Sequence, residues 1–112
     1  MNILLCDLDD LDVDKGVKGM TVQLYDHTLS LFLLRVDDQI YAYRNSCPHT
    51  GVELNWLPDQ FLDLDRSHIQ CATHDARFRI EDGLCVTGPC VGEALQPIPI
   101  HIENGAVYIR SE

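Results

Sequence analysis

Basic residues are scarce in this chain: 8 lysines and arginines stand against 18 aspartates and glutamates, a formal net charge of −10 at pH 7. A nucleic-acid backbone calls for a basic surface, so this balance argues against a nucleic-acid partner. It suits docking on basic patches of another protein, with an association that weakens as salt rises. Long apolar runs are also missing. The longest, around Leu29–Leu34, is far too short to cross a bilayer, and no membrane partner is expected. The first residues, Met1 to Leu5, carry no basic segment and run into Asp7, Asp9 and Asp10. That is not the pattern of a secretory signal, and the expected location is cytoplasmic. Finally, no stretch sustains a 3.6-residue apolar period, which excludes a helical bundle.

What is present points to strands. The 112 residues suffice for one domain with a single core, spanning 1–112. Val22-Gln23-Leu24-Tyr25 alternates apolar with polar, as a half-buried strand does. Leu29–Val36 is a nearly continuous apolar run, suited to a central strand. Asp37-Asp38 punctuates it, and Gln39–Tyr43 returns as its hairpin partner. Near the other end, Ile98–Ile102 and Ala106–Ile109 flank Glu103-Asn104-Gly105, and Asn-Gly is the strongest short hairpin signal. Short helical turns are expected at Asp7–Leu11 and Asp59–Leu64. The fold class is therefore all-β, an antiparallel sandwich or barrel. A lobe over residues 44–92 is inserted between strands of the base.

That lobe holds two mixed clusters of metal-ligating residues, Cys47-Pro48-His49 and Cys71-Ala72-Thr73-His74. In a reducing compartment, cysteines at such spacing read as metal sites before disulfides. Thiolate and imidazole together suit iron with sulfide, or zinc. Zinc would take all four side chains tetrahedrally and supply stability without redox chemistry. Zinc arms favour two cysteines two to four residues apart, so a Cys-x-His arm fits zinc less well. Two thiolates on one iron and two imidazoles on a second is the ligation of a Rieske [2Fe-2S] centre.

Residues 45–100 resemble the cluster-binding region of Rieske proteins. The resemblance rests on Cys47-Pro48-His49-Thr50-Gly51, Leu54, Ile69-Gln70-Cys71-Ala72-Thr73-His74, Phe78, Gly83 and Gly88-Pro89. The last pair is similar to the proline loop that covers the cluster in this family. The resemblance implies one [2Fe-2S] cluster, with Cys47 and Cys71 on the inner iron and His49 and His74 on the outer, more exposed one. Two ferric ions, two sulfides, two thiolates and two neutral imidazoles sum to zero charge. Reducing a neutral centre is easier than reducing an anion, so the potential rises from about −400 mV for all-cysteine plant-type clusters to roughly −150 to +300 mV.

High-potential members of the family place a serine and a tyrosine two and four residues after the second histidine, as donors to the cluster sulfurs. Ala76 and Phe78 stand there in this chain. Those members also carry a disulfide between positions that Val52 and Thr73 occupy here. The chain is thus similar to the low-potential, ferredoxin-type branch, and a value near the bottom of the range is expected. The free ring nitrogens of His49 and His74 imply electron transfer weakly coupled to proton uptake at alkaline pH. Three features depart from the pattern. Asp75 replaces a glycine and is expected to face water, and Thr73 replaces an aromatic residue. The His49–Cys71 spacer of 21 residues is longer than in compact members. Its extra length falls around Trp56–Arg66, with Trp56 expected to pack under the lobe.

The resemblance implies a one-electron carrier, not an enzyme in itself. It would take electrons from a reductase that contains flavin, and pass them as a monomer to a terminal oxygenase or similar acceptor. A small subunit of a larger reductase, such as nitrite reductase, is the alternative. Cys85 and Cys90 bracket Val86-Thr87-Gly88-Pro89 and could form a small loop disulfide, bind metal or act as redox thiols; reduced thiols beside the proline loop are the expectation, with Cys6 a core residue of the first strand. His27, His68 and His101 are expected on strands or the surface, and Arg77 and Arg79 in local ion pairs.

Overall fold

The computed structural model describes residues 3–11, 16–23, 28–36, 39–46, 48, 53–54, 61–63, 67–71 and 76–110. Among them the chain forms β1 (Ile3–Asp7), a 3-10 turn (Leu8–Leu11), β2 (Val17–Gln23), β3 (Thr28–Val36), β4 (Gln39–Arg44), β5 (Ile69–Gln70), β6 (Arg77–Phe78), β7 (Cys85–Thr87), β8 (Ile100–Glu103) and β9 (Ala106–Ile109). These strands make three antiparallel sheets of three, ordered β1-β9-β8, β2-β3-β4 and β5-β6-β7. The all-β expectation holds. No helix among the described residues is long and apolar enough to cross a membrane.

The centre of the molecule is β3. Leu31, Phe32, Leu33 and Leu34 are all fully buried, so both faces of this strand are covered. Successive side chains of a strand point to opposite faces, and the packing divides accordingly. Leu29, Leu31 and Leu33, with Ala42 of β4, join Cys6, Leu11, Val107 and Ile109 of the terminal layer. Phe32 and Leu34, with Tyr43, join Leu54, Phe61, Ile69, Phe78 and Leu95 of the intervening segment. Phe32 stacks on Phe61 with centroids 4.3 Å apart, and the Tyr43 hydroxyl donates to the Ile80 carbonyl at 2.5 Å. A continuous apolar strand is what two-sided burial demands, and the sequence shows it.

The hairpins follow local chemistry. β3 pairs with β4 from Leu31↔Arg44 to Val36↔Gln39, with Asp37-Asp38 outside the described residues. β8 and β9 close from Glu103 to Ala106 through Asn104 (φ 53°) and Gly105 (φ 77°), the two positive values a type I′ turn requires. Other bounds differ from expectation. β2 starts at Val17 and ends at Gln23, while Leu24 and Tyr25 lie outside the described residues. Gly19 weakens the local strand signal, and full pairing with β3 overrides it. β8 starts at Ile100 rather than Ile98 because Pro97 and Pro99 cannot donate to a ladder. Ile98 instead donates to the Ala42 carbonyl at 2.9 Å, which ties the returning chain to β4. The helical turn at Leu8–Leu11 is present. At the other, Leu62 makes an antiparallel bridge to Ile69, so residues 61–63 are extended, not helical. Cys6 is buried in β1, where burial first and then the Asp10 carboxylate push its thiol pKa up.

Candidate metal centre

Of the four expected ligands, Cys71 is described; Cys47, His49 and His74 lie outside the described residues. No group of three or more metal-ligating side chains comes together among the described residues. What the structure does show is how the two arms are held at their bases.

The second arm leaves β5 at Cys71 and re-enters the fold at Ala76, just before β6. The Cys71 N–H donates to the Ala76 carbonyl at 2.8 Å, closing the arm across residues 72–75. The first arm follows β4. The Asn45 N–H donates to the Ser30 carbonyl at 2.9 Å, and the Asn45 side-chain oxygen accepts from the Leu54 N–H at 2.8 Å. Ser30 Oγ also donates to Glu53 at 2.8 Å. Each arm therefore springs from a strand end and is tied off by a hydrogen bond across its base. Asn45, with 7% of its surface exposed, is a positioning residue that sequence reasoning missed. Its signal was a small amide two residues before Cys47, a type suited to bonding neighbouring backbone.

The Gly88-Pro89 segment lies against Ala76, where the second arm re-enters the fold. Gly88 has φ +100°, and a Cβ there would stand 2.7 Å from Ala76 Cα and 3.0 Å from Ala76 Cβ. Only glycine over alanine allows this approach. Cys85 and Cys90 flank the segment, buried and not joined as a disulfide, as expected. Ala76 and Phe78 are fully buried and offer no side-chain donor. Val52, Thr73, Asp75, Trp56 and His27 lie outside the described residues.

Around this frame the polar groups pair locally. Burial pushes Asp63 up, but the Ser67 and His68 N–H groups, the Ser67 hydroxyl and the His68 charge outweigh it. Its carboxyl is left below the usual range. Asp63 also meets His68 at 3.7 Å and Arg77 at 3.9 Å. Arg79 meets Asp82 at 3.4 Å and Glu81 at 3.9 Å, and His101 stacks on Tyr108 beside Glu103. The expected local ion pairs are thus present, and His68 and His101 sit beside carboxylates.

The described residues fit an iron–sulfur group. Cys71 is a fully buried thiol, and as a thiolate it would need a cation beside it. An arm tied at its base and covered by a glycine approach is a pre-organised support for such a ligand. The comparisons agree. The profile of the Rieske [2Fe-2S] domain matches residues 2–102. Ferredoxin CarAc of Metapseudomonas resinovorans is 29% identical over 82 residues, 73% of this chain and 71% of that protein. Two solved structures share the fold. The ferredoxin of carbazole 1,9a-dioxygenase from Nocardioides aromaticivorans IC177 superposes with TM-score 0.73 at 18% identity, covering 100% of this chain and 99% of that one. A chain in the complex of reduced oxygenase and oxidized ferredoxin of carbazole 1,9a-dioxygenase gives 0.72 at 24%, covering 96% and 91%. The chain belongs to the Rieske [2Fe-2S] domain family, and the cofactor of that family is one [2Fe-2S] cluster.

Proposed function

We propose that this chain is a Rieske ferredoxin, a one-electron carrier that takes electrons from a reductase and delivers them to a terminal oxygenase. The observation that carries this reading is the family match over residues 2–102, joined to a buried Cys71 on an arm tied at its base. The ferredoxin relatives, among them components of carbazole 1,9a-dioxygenase, support the oxygenase as acceptor. Cys47 and Cys71 would hold one iron, His49 and His74 the other, within a lobe of residues 44–92 in a single domain of 1–112. When bound, such a cluster supplies a one-electron couple whose potential depends on hydrogen bonds to its sulfurs.

The chain's own residues then set the conditions. Asn45 and the Cys71–Ala76 bond orient the arms. Ala76 and Phe78 offer no side-chain hydrogen-bond donors, which favours a potential low in the family's range. The net charge of −10 favours a partner surface rich in lysine and arginine, and transfer between partners should slow as ionic strength rises. A cytoplasmic, monomeric protein completes the proposal.

The test is anaerobic purification followed by a visible spectrum, EPR after dithionite reduction, and iron, sulfide and zinc analysis of one sample. A red-brown protein with equal iron and sulfide, re-oxidised by a Rieske oxygenase in a salt-dependent way, is the expected outcome. Cys71→Ala should abolish colour and iron while leaving the β-sheet circular dichroism. A colourless, folded protein that carries zinc would overturn the carrier reading.

A further inference from the structure

Cys85 and Cys90 stand outside the expected ligand set, yet their sulfurs lie 2.9 Å apart, with Cys90 donating to Cys85 and Cys85 donating to the Thr87 carbonyl at 3.2 Å. A disulfide needs about 2.05 Å between sulfurs, so closure asks for less than about 1 Å of movement. Both cysteines are 1% exposed, but the cover over them is thin: between Val86 and Ala94, Cys90 is the one buried residue and all the others are exposed. Besides the β6–β7 pairing at Arg77↔Thr87 and Phe78↔Cys85, the bonds across this turn among the described residues run from Cys85 N to the Glu93 carbonyl at 2.8 Å, Glu93 N to the Cys90 carbonyl at 2.9 Å, and Gly92 N to the Cys85 carbonyl at 3.4 Å. Both sulfurs pack in the lobe-side core, but the residues between them are exposed, and so short a unit opens locally at lower cost than global unfolding. Opening it brings both thiols to solvent together.

From this geometry we infer that Cys85 and Cys90 form a redox-active dithiol, which closes to a disulfide by exchange with low-molecular-weight disulfides and locks the Gly88-Pro89 segment against Ala76. One cysteine thiolate attacks a sulfur of the external disulfide, whose S–S bond breaks to leave a mixed disulfide and one free thiol. The neighbouring cysteine sulfur displaces the second, and the Cys85–Cys90 bond forms. In sum two thiols lose two protons and two electrons, and one external disulfide becomes two thiols. In a reducing compartment the pair stays open, and it closes as the thiol pool oxidises. The segment it spans is the one whose Gly88 rests on Ala76, the carbonyl partner of Cys71, so closure reaches the base of the second arm through two successive contacts. The thiol exchange itself needs no cluster, and only the colour read-out of its test rests on the electron-carrier reading.

The test uses the full, cluster-loaded chain, held anaerobically in a series of reduced-to-oxidised glutathione ratios. Samples are acid-quenched, alkylated and mapped by peptide mass spectrometry, with the visible spectrum recorded before the quench. The expected result is a Cys85–Cys90 cross-link that becomes the main species as the ratio turns oxidising, with the spectrum retained. Amide exchange at Cys85, Gly92 and Glu93 should then slow by roughly tenfold or more, because the closed loop restricts opening. Four outcomes would each overturn the inference. They are thiols that both stay alkylatable at every ratio, a single glutathione adduct that persists without a cross-link, a cross-link confined to protein that has lost its colour, and a cross-link that leaves the exchange unchanged. Cys90→Ala should remove the cross-link and leave the colour; if that variant does not fold, the map of the unaltered chain still decides.

Discussion

The two faces of β3 do different work. One face, Leu29, Leu31 and Leu33, packs on strands from the chain ends, in an aliphatic layer whose strands are four to five residues long and, at Leu4/Cys6, shifted in register. The other, Phe32 and Leu34, supports a segment whose strands are only two or three residues long. Strands that short cannot hold themselves. Their order comes from single contacts: Asn45 to Leu54, Cys71 to Ala76, Gly88 on Ala76, Phe61 on Phe32. The base face therefore carries stability, and the lobe face carries the geometry of the ligand arms.

The strongest way to break this comparison is to cut a large side chain from each face. Leu31→Ala should cost about 2–5 kcal/mol and Phe32→Ala about 3–5 kcal/mol, as buried truncations do. The stability loss is similar, but the consequences should part. Phe32→Ala removes the platform under Phe61 and should release iron faster at temperatures where the base is still folded. Leu31→Ala should lower Tm with iron release and unfolding together. Equal separation between the two events in both variants would erase the distinction.

A pair of glycines sharpens it. Gly88 and Gly105 both have positive φ, +100° and +77°. A side chain at Gly105 meets nothing within 4 Å, whereas one at Gly88 meets Ala76 Cα at 2.7 Å. Gly105→Ala should cost about 1–2 kcal/mol of conformational strain alone. Gly88→Ala adds displacement of backbone, for about 2–4 kcal/mol together, and should shift the visible spectrum or the potential. Denaturant midpoints and a redox titration read both. A Gly88→Ala protein with unchanged spectrum and potential would show that the cover does not touch the site.

Asn45→Ala comes next. It leaves the buried Leu54 N–H without its acceptor, at about 1–3 kcal/mol. The first arm should lose its tie, so iron loss to a chelator should accelerate more than the stability change explains. Asn45→Asp, which keeps an acceptor, should recover most of that retention.

The same contrast explains what the sequence disclosed. β3, its hairpin with β4 and the Asn104-Gly105 turn follow from a continuous apolar run, the polar residues that punctuate it and local turn chemistry, which neighbouring residues encode together. The proposed ligands stood out because Cys and His at fixed short spacings carry a chemistry of their own. The Asn45 tie and the seat of Gly88 on Ala76 join residues separated along the chain, and no local period records them. Strand bounds failed where a long-range ladder overrode Gly19 and where Pro97 and Pro99 removed donors. The extended bridge at Leu62 likewise depends on Ile69, which periodicity within 59–64 does not see.

The smallest expected effect tests whether the lobe's polar ties are electrostatic as well as geometric. Asp63 is held below the usual carboxylate range by the Ser67 and His68 N–H groups, against the opposing effect of burial. A carboxyl whose folded pKa is depressed stabilises the fold above its unfolded value near 3.9 and loses that contribution as pH falls through the lower, folded value. Asp63→Asn should cost about 1 kcal/mol at neutral pH. It should also flatten the loss of stability below about pH 4, since one proton-linked group has gone. Denaturant midpoints collected from pH 7 downward show this directly. The two curves should converge at the acid end. Parallel curves would mean that Asp63 acts by shape alone, and that acid sensitivity lies in other carboxylates of this acidic chain.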